Sequence, residues 1–213
     1  MTFVERTPLS RDRVAEAALA LIDENGLDTL SMRKLGASLG FEAMSLYNHI
    51  NNKDDLLSAV TDILFGEIID AYGEPEGDWR SKARAMTIAY VSVAEAHTEA
   101  VSLLVDRPVQ SPQGLEFLGK ILSMFEELTT DIRVAALAFT AVSSWVVGTV
   151  IQEHGAMRSL HAGEGPTATE VAPEYLPMIR FREVCVSDLS FEERLSEGLE
   201  TVLDGVEHRY FSN

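Results

Sequence analysis

The chain has 213 residues, 46% of them hydrophobic, which excludes a disordered polypeptide and allows one large or two small domains with proper cores. Its single cysteine, Cys185, excludes an intrachain disulfide, and the start MTFVERTPLSRDR has no apolar signal core, so a cytoplasmic protein is expected. The net charge of −17 argues against indiscriminate nucleic-acid binding, but it is uneven: residues 1–60 carry 6 basic against 9 acidic side chains, a net −3, and the rest 11 against 25, a net −14.

The first eight residues read as a loose arm; Arg6 is within reach of a groove, although fraying is the plainer reading. Ser10 caps a long first helix with Val14, Ala17, Ala18, Leu21 and Ile22 as its apolar stripe, and Gly26 ends it. Arg11 and Arg13 are surface cations, with phosphate contact as the alternative. Ser31 is a good cap for a second helix. Leu35 and Leu39 share one face of it, and Gly40 supplies the left-handed end. Gly36 and Ala37 are small enough for another helix to cross closely. Ala43, Leu46 and Ile50 then repeat at three and four, facing inward. Met44, Ser45, Tyr47, Asn48 and His49 point outward or sideways, a surface that suits a DNA major groove.

Arg33 and Lys34 fall in the first turn of the second helix, where cations oppose the helix dipole by a few tenths to ~1 kcal/mol. Nearby phosphates or guanine edges would reverse that sign; solvated surface cations are the bland alternative, and composition leaves both open. Asn52 caps the fourth helix, with Asp55 three residues on, resembling a capping box. Lys53 sits beside the free backbone donors, as a phosphate clamp or as a surface lysine balanced by Asp54 and Asp55. Leu56, Leu57, Val60, Ile63 and Leu64 form the stripe of this helix, which runs to about Tyr72.

From Leu9 to Leu57 the chain resembles the N-terminal domain of the TetR (tetracycline repressor) family. The resemblance runs through Asn25-Gly26-Leu27, Leu30-Ser31-Met32-Arg33-Lys34-Leu35 and Leu39-Gly40-Phe41. The most specific run is SLYNHINNKDDLL. The resemblance implies that Arg33, Met44, Ser45 and Asn48 face base edges and that Ser31, Tyr47, His49 and Lys53 hold phosphates. Met32 and Ala43 belong to the same expected DNA surface. The family often has a larger aromatic residue where Asn48 stands; asparagine can bind adenine with two hydrogen bonds, so the resemblance does not fix the preferred operator. The expected organisation is a helix-turn-helix domain over 1–57, a connecting helix over about 53–72, and a helical effector-binding and dimerisation domain over 58–213.

Gly73-Glu74-Pro75-Glu76-Gly77 is the clearest hinge. Beyond it only helical patterns appear. Trp79, Ala83, Met86, Tyr90, Ala94 and His97 fit one face. A break follows from Val105 to Ser111, containing Pro108. Ser111-Pro112 then opens a helix with Leu115, Leu118, Leu122 and Phe125 as its stripe. Val134 to Ile151 has no charged residue for 18 positions, long enough for a membrane span. Thr140, Ser143, Ser144, Gly148 and Thr149 dilute it, so it is read instead as a helix buried on both sides, against a core or pocket and against a second subunit. No membrane partner is expected.

Residues 156–188, with their glycines and prolines, read as a long loop or broken helices, and no strand precedes Gly163-Glu164-Gly165 to make it a phosphate loop. Ser190 and Glu193 form a capping box for the last helix, striped by Phe191, Leu195, Leu199, Val202, Val206 and Tyr210. Gly198 and Gly205 lie two turns apart and cost ~1 kcal/mol each in a helix, which close packing must offset. This helix and the one over 131–154, taken from two subunits, would build a four-helix dimer interface; the resemblance implies the same homodimer. The ending FEERLSEGLETVLDGVEHR is similar to the C-terminal helix of repressors related to the tetracycline repressor.

Met86, His97, Phe117, Phe139 and Trp145 are candidates for an effector cavity, against the alternative of plain core, and His97 is the best polar candidate. The tetracycline repressor holds a drug-bound magnesium ion with a histidine and acidic partners; a full set does not align here. His154 and His161 lack zinc spacing. Neither a metal nor a cofactor is expected. The absence of GxSxG, paired cysteine ligands and a Walker loop, and the poor nucleophile site at Ser143-Ser144, argue against an enzyme. The expectation is an all-α homodimeric transcriptional regulator, most simply a repressor released from a near-palindromic double-stranded DNA operator by an unknown small-molecule effector. The rival is an all-α small-molecule-binding or scaffold protein that has lost DNA binding; Arg33, Tyr47, His49 and Lys53 argue against it. A dimer of twice −17, or −34, should bind random DNA poorly.

Overall fold

The computed structural model describes residues 8–107, 109–163 and 165–211. Arg6 and the rest of the expected arm to residue 7, Pro108 and Glu164 lie outside the described residues, as does the side chain of His161. The described chain is helical and has no β-strand, in line with the all-α expectation. It forms two compact units, one of residues to Pro75 with Ile88–Ile121, the other of Glu76–Thr87 with Leu122 onward.

In the first unit, α1 spans Arg11–Asn25, and Ser10 caps it by accepting from the Arg13 amide at 3.2 Å. Its buried residues are Val14, Ala15, Ala18, Leu19 and Ile22. Ala17 and Leu21 are only half-buried, so the expected stripe is displaced by one position at each. The reason is that α1 packs on two neighbours, α2 (Met32–Leu39) and α4 (Lys53–Tyr72), which together bury a wider arc than one stripe. In α4 the same effect buries Thr61, Phe65 and Ile68 and leaves Leu57 and Ile63 half-buried. Gly73 ends this helix at a φ of 59° that favours glycine.

The Asn52 side chain caps α4 by accepting from the Asp55 amide at 2.9 Å. Asp55 does not close the expected box on Asn52. Its carboxylate accepts from the Asn51 amide at 2.8 Å and from Arg11 at 2.6 Å. The Arg11 hydrogen bond, with the Asn51 N–H, holds this carboxyl down at about 2. Arg11 is therefore engaged within the fold.

The α5 helix covers Trp79–Ala96, and its expected face is buried at Trp79, Ala83, Met86, Tyr90 and Ala94, with His97 just beyond its end. A short α6 (Leu103–Asp106) precedes α7 (Pro112–Glu126). Ser111 receives the Gly114 amide at 3.3 Å, as its helix-start signal predicts, and Asp62 of α4 accepts the Gln113 amide at 2.9 Å. The stripe expected of α7 begins one residue out. Leu115 is 56% exposed, while Gly114 and Phe117 are buried. A ring stack between Phe65 and Phe117, 5.0 Å between centroids, sets this rotation of the helix.

The second unit is organised by α8 (Ile132–Gln152) and α11 (Phe191–Tyr210), which pack together. On α8 the face of Ala135, Ala138, Val142, Val146 and Val150 is buried. The opposite side is not buried within the chain: Leu137 is 53% and Ile151 45% exposed. By length and composition α8 is apolar enough to cross a membrane, and one face of it packs on α11. On α11 the buried residues are Leu199, Leu203 and Val206. Leu203 lies between the expected positions Val202 and Val206, and Phe191, Leu195, Val202 and Tyr210 are half-buried.

The capping box of Ser190 and Glu193 is present. Gly198 shows why glycine is there: a Cβ would lie 2.3 Å from the Trp145 indole. Glu200 of α11 binds Arg84 and Arg80 of α5, and these hydrogen bonds hold its carboxyl down at about 2. Residues 156–188 are broken helices. A π-helical turn at Glu153–Met157 leads into α9 (Arg158–His161), and a 3-10 turn at Pro173–Tyr175 precedes α10 (Leu176–Glu183). A second π-helical turn covers Val184–Asp188, and Arg194 ties the segment down by donating to the carbonyls of Cys185 and Leu189.

Candidate nucleic-acid interface

The helix-turn-helix is set by two glycines. Gly40 takes the left-handed conformation, φ 75° and ψ 28°, that ends α2. Gly36 lets the next segment cross: a Cβ there would lie 2.8 Å from the Phe41 carbonyl and 3.0 Å from the Ala43 amide. The crossing element is α3, a single turn over Ala43–Leu46 that continues as hydrogen-bonded turns through Asn48 and His49. Leu46 and Ile50 are buried beneath it, and Ala43 is half-buried.

That anchoring fixes what faces out. Met44 is 73% and Tyr47 44% exposed, and Asn48 is exposed beside them. Ser45, His49 and Met32 are half-buried. On α2, Ser31 accepts the Lys34 amide at 3.3 Å, which leaves its hydroxyl proton free to donate. Arg33 and Lys34 are exposed in that same turn. Arg33 makes no hydrogen bond or ion pair among the described residues.

Lys53 joins this surface by a contact the sequence does not advertise. Its ammonium donates to the carbonyl of Leu30 at 3.3 Å, one residue before the Ser31 cap. The first turn of α4 is thereby held beside the first turn of α2. An ammonium has three donors, so two remain for an anion. Asp54 turns the other way: Arg107 donates to its carbonyl and to its carboxylate at 2.9 Å.

The effector candidates fall into both units. Met86 is buried, and Phe139 and Trp145 are half-buried, in the second unit, where Trp145 lies against Gly198. Phe117 is buried against Phe65 in the first. His97, also in the first, has both ring nitrogens engaged: Nδ1 lies 2.8 Å from Asp23 and Nε2 2.8 Å from Glu67. Sequence reasoning missed these two carboxylates, and no signal could have found them, because they lie 74 and 30 residues away. Among the described residues no group of three or more His, Cys, Asp or Glu side chains is arranged to hold a metal ion.

Two family profiles match the chain. One, described as bacterial regulatory proteins of the tetR family, covers residues 14–60; the other, a tetracyclin repressor-like C-terminal domain, covers 73–210. An HTH-type transcriptional regulator of Saccharopolyspora erythraea is 34% identical over 149 residues, 68% of this chain and 61% of that protein, so the chain spans under two-thirds of that relative's length. The class A tetracycline repressor of transposon 1721 in Escherichia coli is 27% identical over 95% of this chain and 93% of its own. The crystal structure of ActR of Streptomyces coelicolor in complex with actinorhodin superposes with a TM-score of 0.77 at 26% identity, covering 97% of this chain and all of that one. The chain belongs to the TetR family, a family of DNA-binding transcriptional regulators and not of enzymes.

Proposed function

We propose that the chain is a homodimeric repressor, released from a near-palindromic DNA operator by a small-molecule effector. What supports this is a helix-turn-helix on which Arg33, Met44, Tyr47 and Asn48 are exposed, with Lys53 tied to Leu30 at the start of α2. Arg33, Met44, Ser45 and Asn48 read base edges, with Met32 and Ala43 beside them. Ser31, Tyr47, His49 and Lys53 hold phosphates, and Lys53 does so with the ammonium donors that Leu30 leaves free.

Dimerisation is supported by α8, whose Leu137 and Ile151 are exposed on the face away from α11. A second copy covering that face gives a four-helix interface. Two recognition helices then enter successive major grooves ~34–36 Å apart. An effector favours a dimer with the wrong head spacing; a tenfold preference for that shape moves the balance by ~1.4 kcal/mol. ActR is named as binding actinorhodin, which supports a small-molecule effector here without naming it. Met86, Phe139 and Trp145 are candidates for its cavity, and a soluble protein of the cytoplasm is the matching location.

The test is selection of bound fragments from sheared genomic DNA by the folded, dimeric protein at near-physiological salt. Enrichment of a near-palindrome supports the proposal. No enrichment, before or after unfolding, ligand removal and refolding, returns the chain to a scaffold or carrier role.

A further inference from the structure

Three side chains in the first unit form a cluster that the DNA-reading surface does not use. His97 follows the end of α5, Asp23 lies in the last turns of α1, and Glu67 lies on α4. The imidazole is mostly buried, 17% exposed, and each of its nitrogens meets a carboxylate oxygen at 2.8 Å. The second oxygen of Asp23 is buried with no partner. Glu99 brings another carboxylate close by, with Oε2 3.5 Å from where a Cβ on Gly26 would sit.

Counting donors decides the protonation of this cluster. A neutral imidazole has one N–H and one lone pair, and an ionised carboxylate has only acceptors. Two carboxylates on the two nitrogens therefore need one proton more than neutral histidine provides. With that proton both contacts are charge-assisted hydrogen bonds; without it one becomes lone pair against lone pair. The charged groups in hydrogen-bond contact with the ring, Asp23 from α1 and Glu67 from α4, are both acidic.

We propose that His97 is a positioning residue: a proton-dependent latch that fixes α1 of the reading head to α4, the helix that starts with Lys53. As pH rises and the extra proton leaves, one of the two contacts is lost and the head loosens on its connecting helix. The consequence for regulation rests on the DNA-binding reading; the latch itself does not.

The test is urea unfolding of the full chain at fixed protein concentration from about pH 5.5 to about pH 8.5, either side of the ordinary imidazole range. Parent, E67Q and D23N are compared. An amide at either position can donate to a neutral imidazole, so each variant holds its contact without the extra proton. The parent midpoint should fall relative to each variant by roughly half a molar across this range. Using both variants guards against one of them failing to fold. Parallel profiles for the parent and the folded variants overturn the latch. The measurement contains no DNA, so its failure leaves the regulator reading standing, and a chain without an operator leaves the latch standing.

Discussion

The ammonium of Lys53 donates to the carbonyl of Leu30 at 3.3 Å, and this contact closes the start of α4 onto the start of α2. A residue proposed to hold a phosphate also helps to build the fold beside it. Lys53→Ala should weaken binding to all DNA sequences alike and lower the salt slope by about one unit per neutralised phosphate. Titration of operator and random duplexes at several salt concentrations checks this; a change confined to the operator, with the slope intact, would remove Lys53 from the phosphate role.

Arg33 is different, because it is exposed and unengaged among the described residues. Arg33→Ala should relax specificity at one base position, at ~1–3 kcal/mol, and leave folding untouched. Competition between the operator and its single-base variants measures it. Equal losses on every variant would make Arg33 a phosphate contact instead.

The two glycines of α11 should respond in opposite ways. Gly198→Ala places a methyl 2.3 Å from the Trp145 indole, so that ring or the helix must move. The expected cost is ~1–3 kcal/mol, read as a lower urea midpoint. Gly205 has no heavy atom within 4 Å of an added Cβ. Within one chain Gly205→Ala should gain up to ~1 kcal/mol of helix propensity. If the second copy covers this face, sedimentation should instead show a weaker dimer. A G205A chain that dimerises as the parent does would place the interface elsewhere.

Acid should loosen each unit at its own ion pair. Asp55, held by Arg11 and Asn51, and Glu200, held by Arg84 and Arg80, both titrate at about 2. A depressed carboxyl stabilises the fold at pH values above its ordinary range, and that stability is lost as pH falls towards 2. The stability difference between the parent and D55N, or between the parent and E200Q, should therefore be full at neutral pH and shrink below about pH 4. Unfolding midpoints against pH test it; a difference that persists unchanged at pH 2 would mean that packing and not charge is responsible.

The helices, their starts and many of their stops were legible in the residues. Ser10, Ser31, Asn52, Ser111 and Ser190 all cap as read, and Gly26, Gly40 and Gly73 all end helices with positive φ. These features are local: a cap reaches three residues along the chain, so the sequence contains both partners. The outward side of α3 was legible for the same reason, since the spacing of Leu46 and Ile50 dictates which side is left exposed.

The faces of the longer helices were less legible. A stripe read from one helix assumes one neighbour. With two neighbours α1 buries Ala15 and Leu19, and the ring stack on Phe65 turns Phe117 inward and Leu115 out. His97 stood out as a polar residue at the end of an apolar face, but its partners did not.

The sequence by itself therefore determined that this protein is all-α, where its helices start, and that it carries a helix-turn-helix of the TetR kind. Only the tertiary structure decided that Lys53 binds Leu30, that Asp55 serves Arg11 instead of the cap of its own helix, and that His97 stands between Asp23 and Glu67. The physical reason is range. Caps and periodicity act over one or two turns, whereas a side chain's hydrogen-bond partner depends on which helices the burial of apolar faces has already brought together.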